Sequence, residues 1–251
     1  MSKTDLCRDR GEQSGQVRDR GHDVVIGDPA EDIGVMIADT QLIHATHVKQ
    51  AADRIRKLIR TTAASLVDTS TFGDARVWLV HEYLQHTGTF KARGAANFTV
   101  AHAEAGRLTS AGITIASGGN AGLACAWAAK KTGVPATVFL PETAPAFKVG
   151  KLLSYGAEVR KVGTEYADAL AACRAHVRDT DALMSHAYDH PLIAAGAGTL
   201  LAETVTVTGG IDTIIVAVGG AQVVSIIVER AAALATPLQG ENFVNVGRRI
   251  D

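Results

Sequence analysis

From about residue 76 to residue 218, short apolar runs alternate with longer segments of helical periodicity, and this alternation constrains the fold more than any other feature of the chain. Strands are predicted at residues 76–82, 113–116, 136–140, 158–162, 183–185 and 213–218. Helices are predicted between them at 90–104, 121–131, 146–155 and 166–178, with a further helix from Leu200. Unbroken apolar strands separated by helices build βα units, which assemble into a parallel sheet with helices on both faces. The class is therefore α/β. Upstream, Leu42, Ala45, Val48, Ala52, Ile55 and Ile59 recur at steps of three and four, which marks one face of another helix. Residues 1–38 carry Gly and charges of both signs without periodicity, and a disordered N-terminal arm is expected there.

With 251 residues, 47% of them hydrophobic and 20% charged, the chain can bury a substantial core. A net charge of -1 gives no field to hold nucleic acid or an anionic membrane, so a small-molecule partner is expected. The longest nearly apolar stretch, 214–228, is short for a bilayer and is broken by Gly219, Gly220, Gln222 and Ser225. The N-terminus lacks the apolar centre of a signal peptide. Cys7, Cys125 and Cys173 are odd in number and widely spaced, which argues for a reduced, cytoplasmic compartment. His81, His86, His186 and His190 share no metal-ligand spacing on one predicted helix, and no metal site is expected.

In a parallel sheet, ligands bind beyond the carboxyl ends of the strands, so the strand-to-helix loops carry the chemistry. The first such loop covers residues 86–94. Thr89 is its natural N-cap, which puts Lys91 and Arg93 in a first helical turn where the dipole disfavours cations. Either both cations are solvated, or the turn faces an anion, or the lysine nitrogen is tied up as an imine. The second loop is Ser117-Gly118-Gly119-Asn120-Ala121-Gly122, whose glycines admit a phosphate or carboxylate at a helix start. It also stands one residue from a dinucleotide fingerprint, with Glu142 where a ribose-binding acid would fall. A bare structural turn is the third reading. Gly219 and Gly220 form another loop able to hold phosphate oxygens.

Taken together, these segments resemble the fold type II pyridoxal phosphate enzymes, the tryptophan synthase β-like fold, and most closely the threonine or serine dehydratases. The likeness is carried by residues 82–95, which include Phe90-Lys91-Ala92-Arg93-Gly94, and by Ser117-Gly118-Gly119-Asn120. It continues through residues 141–148 and 155–159, then Tyr188-Asp189-His190-Pro191 and Gly196-Ala197-Gly198-Thr199, where Ala197 replaces the family's usual Gln. The resemblance implies pyridoxal 5'-phosphate as cofactor, with Lys91 as its catalytic Schiff-base lysine. It further implies that Asn120 lies beside the ring hydroxyl, that Gly219 and Gly220 cup the phosphate, and that Ser117, Gly118, Gly119 and Asn120 receive the substrate carboxylate. Cysteine synthases have Lys-Asp-Arg where this chain has Lys91-Ala92-Arg93, and serine racemases have a basic serine where it has Gly118. The implied reaction is β-elimination of threonine or serine to a 2-oxo acid and ammonia.

On the same resemblance, residues 88–163 form the small domain, and residues 39–87 with 164–251 the large one. The family's run of four glycines stops at Gly220, and residues 239–251 match nothing in it, so the large domain is expected to be incomplete. That leaves the strand at 213–218 with an unpaired edge or an uncovered face. A helix over residues 222–238 or a second subunit would cover it, and a homodimer is expected. The alternatives are an inactive cofactor-binding relative with a binding or regulatory role, and a nucleotide-binding oxidoreductase.

Overall fold

A computed structural model describes residues 43–68, 70, 72–73, 75–187, 190–218 and 244–248. By its contacts the chain divides into Met1–Asp32 and Ile33–Asp251, and every described residue belongs to the second unit. The expected N-terminal arm, Cys7, Gly219, Gly220 and the helix expected over 222–238 lie outside the described residues. In chain order the elements are α1 (Ala45–Ile55), β1 (Ala64–Leu66), β2 (Trp78–Val80), α2 (Lys91–Glu104), β3 (Ile113–Ala116), α3 (Asn120–Thr132) and β4 (Ala136–Leu140). They continue with α4 (Ala146–Ser154), β5 (Glu158–Lys161), α5 (Tyr166–Thr180), β6 (Leu183–Met184), α6 (Pro191–Thr208), β7 (Ile214–Val218) and β8 (Val244–Arg248).

Four parallel strands in the order β5-β4-β3-β6 make the central sheet. β3 and β4 are buried along their whole length, which is why both read as unbroken apolar runs. Side chains alternate between two cores. Ile113, Ile115, Val138 and Leu140 pack with Leu123, Ala126 and Leu152 of α3 and α4, whereas Ala116 and Phe139 meet Ala169 and Cys173 of α5. The edge strand β5 is charged and mostly exposed, with Glu158 paired to Arg160 at 2.7 Å, a composition that discourages edge pairing with another chain.

α2 is the hub of a second, helical layer. Its alanine-rich sequence is buried on almost every side, against Ala124, Trp127 and Ala128 of α3 and against α6. The crossing with α6 is backbone to backbone. A Cβ on Gly94 would lie 2.7 Å from the Ile193 carbonyl oxygen, and one on Gly196 would lie 2.6 Å from that of Arg93. Only glycine permits that approach. α6 has the length and mean hydropathy, 18 residues at 1.3, to cross a membrane, but more than half of it is buried against α1 and α2, which accounts for its apolar composition.

Two expectations are corrected. The strand expected at 76–82 shortens to β2 and pairs antiparallel with β1, so it stands outside the parallel sheet. The residues after it turn into 3-10 helix at Glu82–Leu84 and His86–Gly88. The helix expected from Leu200 begins nine residues earlier, at Pro191, with the His190 ring accepting the Leu192 N–H. Proline at the first helical position costs no hydrogen bond, and Gly196 is a crossing residue rather than a breaker. β8 runs parallel to one edge of β7, from Ile214↔Val244 to Val218↔Arg248, and among the described residues no strand pairs with the other edge.

Candidate active site

Chain direction creates a crevice in the sheet. From β3 the chain proceeds to β4 and β5 on one side, then crosses back through α5 to β6 on the other side of β3. The loops leaving β3 and β6 therefore diverge, which is where open α/β sheets bind ligands. The register aligns Thr114 with Met184, and the Ser185 N–H donates to the Thr114 carbonyl at 2.8 Å. Ser117 and Ala187, a few residues further on, leave the sheet at this same edge.

Lys91 reaches that edge from α2. Its half-buried amine donates to the Ala187 carbonyl at 2.9 Å and stands 5.0 Å from the centre of the Phe90 ring. Burial pulls its pKa below the ordinary 10.5, because removing the ammonium from water disfavours the charged form. More of the amine is therefore unprotonated, and free to act as a nucleophile, than in an exposed lysine at the same pH.

The 117–120 loop supplies the other half of the crevice. Ser117 and Gly118 are half-buried, while Gly119 and Asn120 are exposed. The Gly119 N–H donates to Ser117 Oγ at 3.3 Å, and α3 starts at Asn120 with no side-chain cap and no acid in its first turn. Its leading N–H groups and the positive end of its dipole are open to an anion. A Cβ on Gly119 would meet nothing nearer than Ser117 Oγ at 4.0 Å, so the space before the helix is clear. A Cβ on Gly122 would overlap the Ser117 carbonyl, and glycine there lets α3 start directly under the loop.

The solvated-pair reading of Lys91 and Arg93 is overturned. Lys91 is half-buried, and Arg93 is 0% exposed, held by Glu82 and Glu203. Thr89 Oγ1 does accept the Lys91 N–H, at 3.4 Å, although Phe90 is the residue flanking the helix. The histidines behave structurally: His86 stacks on Trp127 at 4.7 Å, and His186 stacks on His190 at 5.6 Å. No group of metal ligands forms among the described residues. A cavity of about 440 Å³ lined by Phe98, His102, Arg107, Asp181, His186 and His190 opens at the far end of α2. Met184 also lines it beside His186, so its wall adjoins Ala187, whose carbonyl accepts the Lys91 amine at the crevice.

A sequence model described as pyridoxal-phosphate dependent enzyme matches residues 57–237. The chain belongs to that family. It is 36% identical over 178 residues to the L-threonine ammonia-lyase of Geobacter sulfurreducens, an alignment covering 70% of this chain and 43% of that protein. The structure of maize serine racemase superposes with a TM-score of 0.73 at 27% identity, covering 80% of this chain and 60% of that one. The threonine deaminase of T.th. gives 0.71 at 28% identity, with 81% and 64% covered. The chain spans about half the length of the curated relatives it matches.

The fold is the fold type II α/β architecture, and pyridoxal phosphate is the family's cofactor. The crevice fits such a group, since a part-buried amine suits an aldehyde and the uncapped start of α3 suits an anion. The dinucleotide reading loses its place, and the Glu142 carboxylate lies 3.9 Å from Lys161 Nζ on the neighbouring strand. Two features of the site carried no sequence signal. The Ala187 acceptor is a backbone atom, and the Glu203 partner of Arg93 is 110 residues away. Gly219 and Gly220 lie outside the described residues.

Proposed function

We propose that the chain is the catalytic part of a pyridoxal phosphate-dependent ammonia-lyase that eliminates water from a small hydroxy amino acid, threonine or serine. On the division expected from the sequence, residues 88–163 serve as its small domain and 39–87 with 164–251 as its large one, with β6 pairing to β3 and α5 packing on β3 and β4 across that boundary. The observation that carries this reading is the Lys91 amine, held 2.9 Å from the Ala187 carbonyl at the edge where the loops after β3 and β6 part.

Lys91 would hold the cofactor at its aldehyde, Asn120 at its ring hydroxyl, and Gly219 with Gly220 at its phosphate. Bound there, pyridoxal phosphate supplies the electron sink that makes a Cα proton removable. Ser117, Gly118, Gly119 and Asn120 receive the substrate carboxylate at the start of α3, which orients the Cα–H bond. Lys91 Nζ accepts that proton as general base, and its lowered pKa keeps more of the amine unprotonated than in an exposed lysine. Hydroxide leaves Cβ, the released enamine takes up water, and the products are a 2-oxo acid and ammonia.

Racemisation is the second reading, favoured by the likeness to maize serine racemase. It needs a proton donor on the opposite face. Gly118 has no side chain to provide one, and a Cβ added there would lie 3.1 Å from Leu140 Cδ2. The test is to supply the full chain with pyridoxal phosphate and L-threonine or L-serine. Equal amounts of 2-oxo acid and ammonia are expected, absent in Lys91→Ala. A D-amino acid without 2-oxo acid would establish racemisation instead, and no product would leave a binding role.

A further inference from the structure

Two residues beyond Lys91, in the same first turn of α2, lies the most completely buried cation among the described residues. Arg93 is 0% exposed, and its guanidinium is held in four directions. Nε and Nη2 donate to the two oxygens of Glu82 at 2.9 and 2.8 Å, a bidentate pair. Nη1 donates to Glu203 Oε1 at 3.0 Å and to Thr199 Oγ1 at 3.2 Å, and Nη2 also reaches Thr62 Oγ1 at 2.8 Å. The partners are themselves fixed. Thr62 donates to Glu203 Oε2 through its N–H at 2.9 Å and its hydroxyl at 2.6 Å, and the Thr199 hydroxyl donates to the Gly196 carbonyl at 2.8 Å. Burial alone would raise the Glu203 carboxyl, but hydrogen bonds from Arg93 and Thr62 outweigh it and hold the group ionised.

The helix geometry gives this network a direction. Residues two apart on an α-helix point about 200° apart. Arg93 therefore faces the segments around Thr62, Glu82 and α6, while Lys91 faces the crevice. A planar fork bonded to both oxygens of one carboxylate and to a second carboxylate resists rotation of the helix about its axis. A group about 6 Å from that axis moves about 1 Å for each 10° of rotation, and a 1 Å misplacement costs about 100-fold in rate. The clamp also joins both partners of the Lys91 hydrogen bond. Glu82 begins the segment leading into Lys91, and Thr199 and Glu203 sit on α6, which follows the Ala187 loop.

We propose that Arg93 is the positioning residue of this site: its clamp on Glu82 and Glu203 sets the rotation of α2 and so aims the Lys91 amine into the crevice between the β3 and β6 loops. The proposal rests on the reading of Lys91 as the cofactor-binding lysine. A merely structural ion pair would affect stability and leave the aim of Lys91 alone.

The experiment uses the full chain and its Arg93→Lys and Glu82→Gln variants. It measures the urea unfolding midpoint, and, at saturating pyridoxal phosphate, the rate and pH dependence with which borohydride fixes the cofactor to Lys91. Lysine keeps the charge of Arg93 but loses the fork, so Arg93→Lys should lower the fixation rate of the folded protein by about 10- to 100-fold. It should also move the pH for half-maximal rate upward, as a misaimed amine regains water. Glu82→Gln leaves Arg93 in place and should give a smaller loss in the same direction, which decides the matter if Arg93→Lys does not fold. Wild-type rate and pH dependence in a folded variant, or a rate that falls only with the folded fraction, would overturn the positioning role. Failure of the wild-type chain to be labelled at Lys91 would overturn the reading of the site and the proposal with it.

Discussion

Replacing Gly196 with alanine puts a methyl group where α2 and α6 touch. The new carbon would lie 2.6 Å from the Arg93 carbonyl oxygen, 2.8 Å from Gly94 Cα and 2.9 Å from Asn97 Cβ. Carbon atoms in good contact sit about 3.5–4.0 Å apart, so the helices must part by roughly 1 Å. None of the three atoms can rotate away. Overpacking costs about 1–3 kcal/mol, and three rigid contacts place this site at the upper end. Against that, alanine in a helix interior gains about 1 kcal/mol over glycine. The net expectation is a loss of about 2 kcal/mol, read as a lower urea midpoint at unchanged slope by circular dichroism. Gly94→Ala meets the Ile193 carbonyl oxygen at 2.7 Å and the movable Cγ2 of Ile193 at 3.0 Å, and should cost less. The double variant should cost less than the sum, because helices parted by one methyl accept the other. A Gly196→Ala chain as stable as wild type, or more so, would show that propensity outweighs contact and that the backbones do not meet as described.

Gly119→Val should leave stability unchanged, since its Cβ points into open space, yet weaken a carboxylate inhibitor about tenfold or more by filling the proposed anion site; unchanged affinity would mark the loop as a structural turn. Burial, with His186, His102 and Arg107 nearby, pushes His190 down to about 4, and its ring nitrogen accepts the Leu192 N–H that starts α6. The folded chain takes up this proton less readily than the unfolded one, whose histidine titrates near 6.5. Stability is therefore full above about 6.5 and falls as the pH drops toward 4. His190→Asn keeps a capping acceptor and should flatten most of that fall, leaving a remainder from His86 and His102, which burial also lowers; an unchanged acid profile would remove His190 from the explanation. Burial pushes the Cys125 thiol up to about 12, so iodoacetamide should spare it in the folded chain and modify it in urea; rapid native modification would show that α3 opens readily.

The parallel sheet is legible in the sequence because its elements obey a single period each. β3 and β4 fall on the expected residues since strands buried on both faces read as pure apolar runs. β1 gives no signal, because three residues paired antiparallel to β2 carry no pattern of their own. α6 reads short because Gly196 and Gly198 look like breakers in one dimension, whereas Gly196 is demanded by a neighbouring helix that only the fold supplies. At the site, the glycine loop before α3 is visible as a strand-to-helix turn. The burial of Arg93 is not, because Glu82 and Glu203 lie 11 and 110 residues away. The cation-rich first turn of α2 looks electrostatically poor since its counter-charges come from elsewhere in the chain.

The most direct test of Lys91 as the residue that receives the cofactor is chemical. The full chain is mixed with pyridoxal phosphate, reduced with borohydride, digested, and the labelled peptide is identified by mass spectrometry. A yellow absorbance band before reduction and one label, on Lys91, are expected, with both absent in Lys91→Ala. A label on another lysine, or a band and label that survive in Lys91→Ala, would contradict the placement of the reactive amine at the crevice beyond β3 and β6.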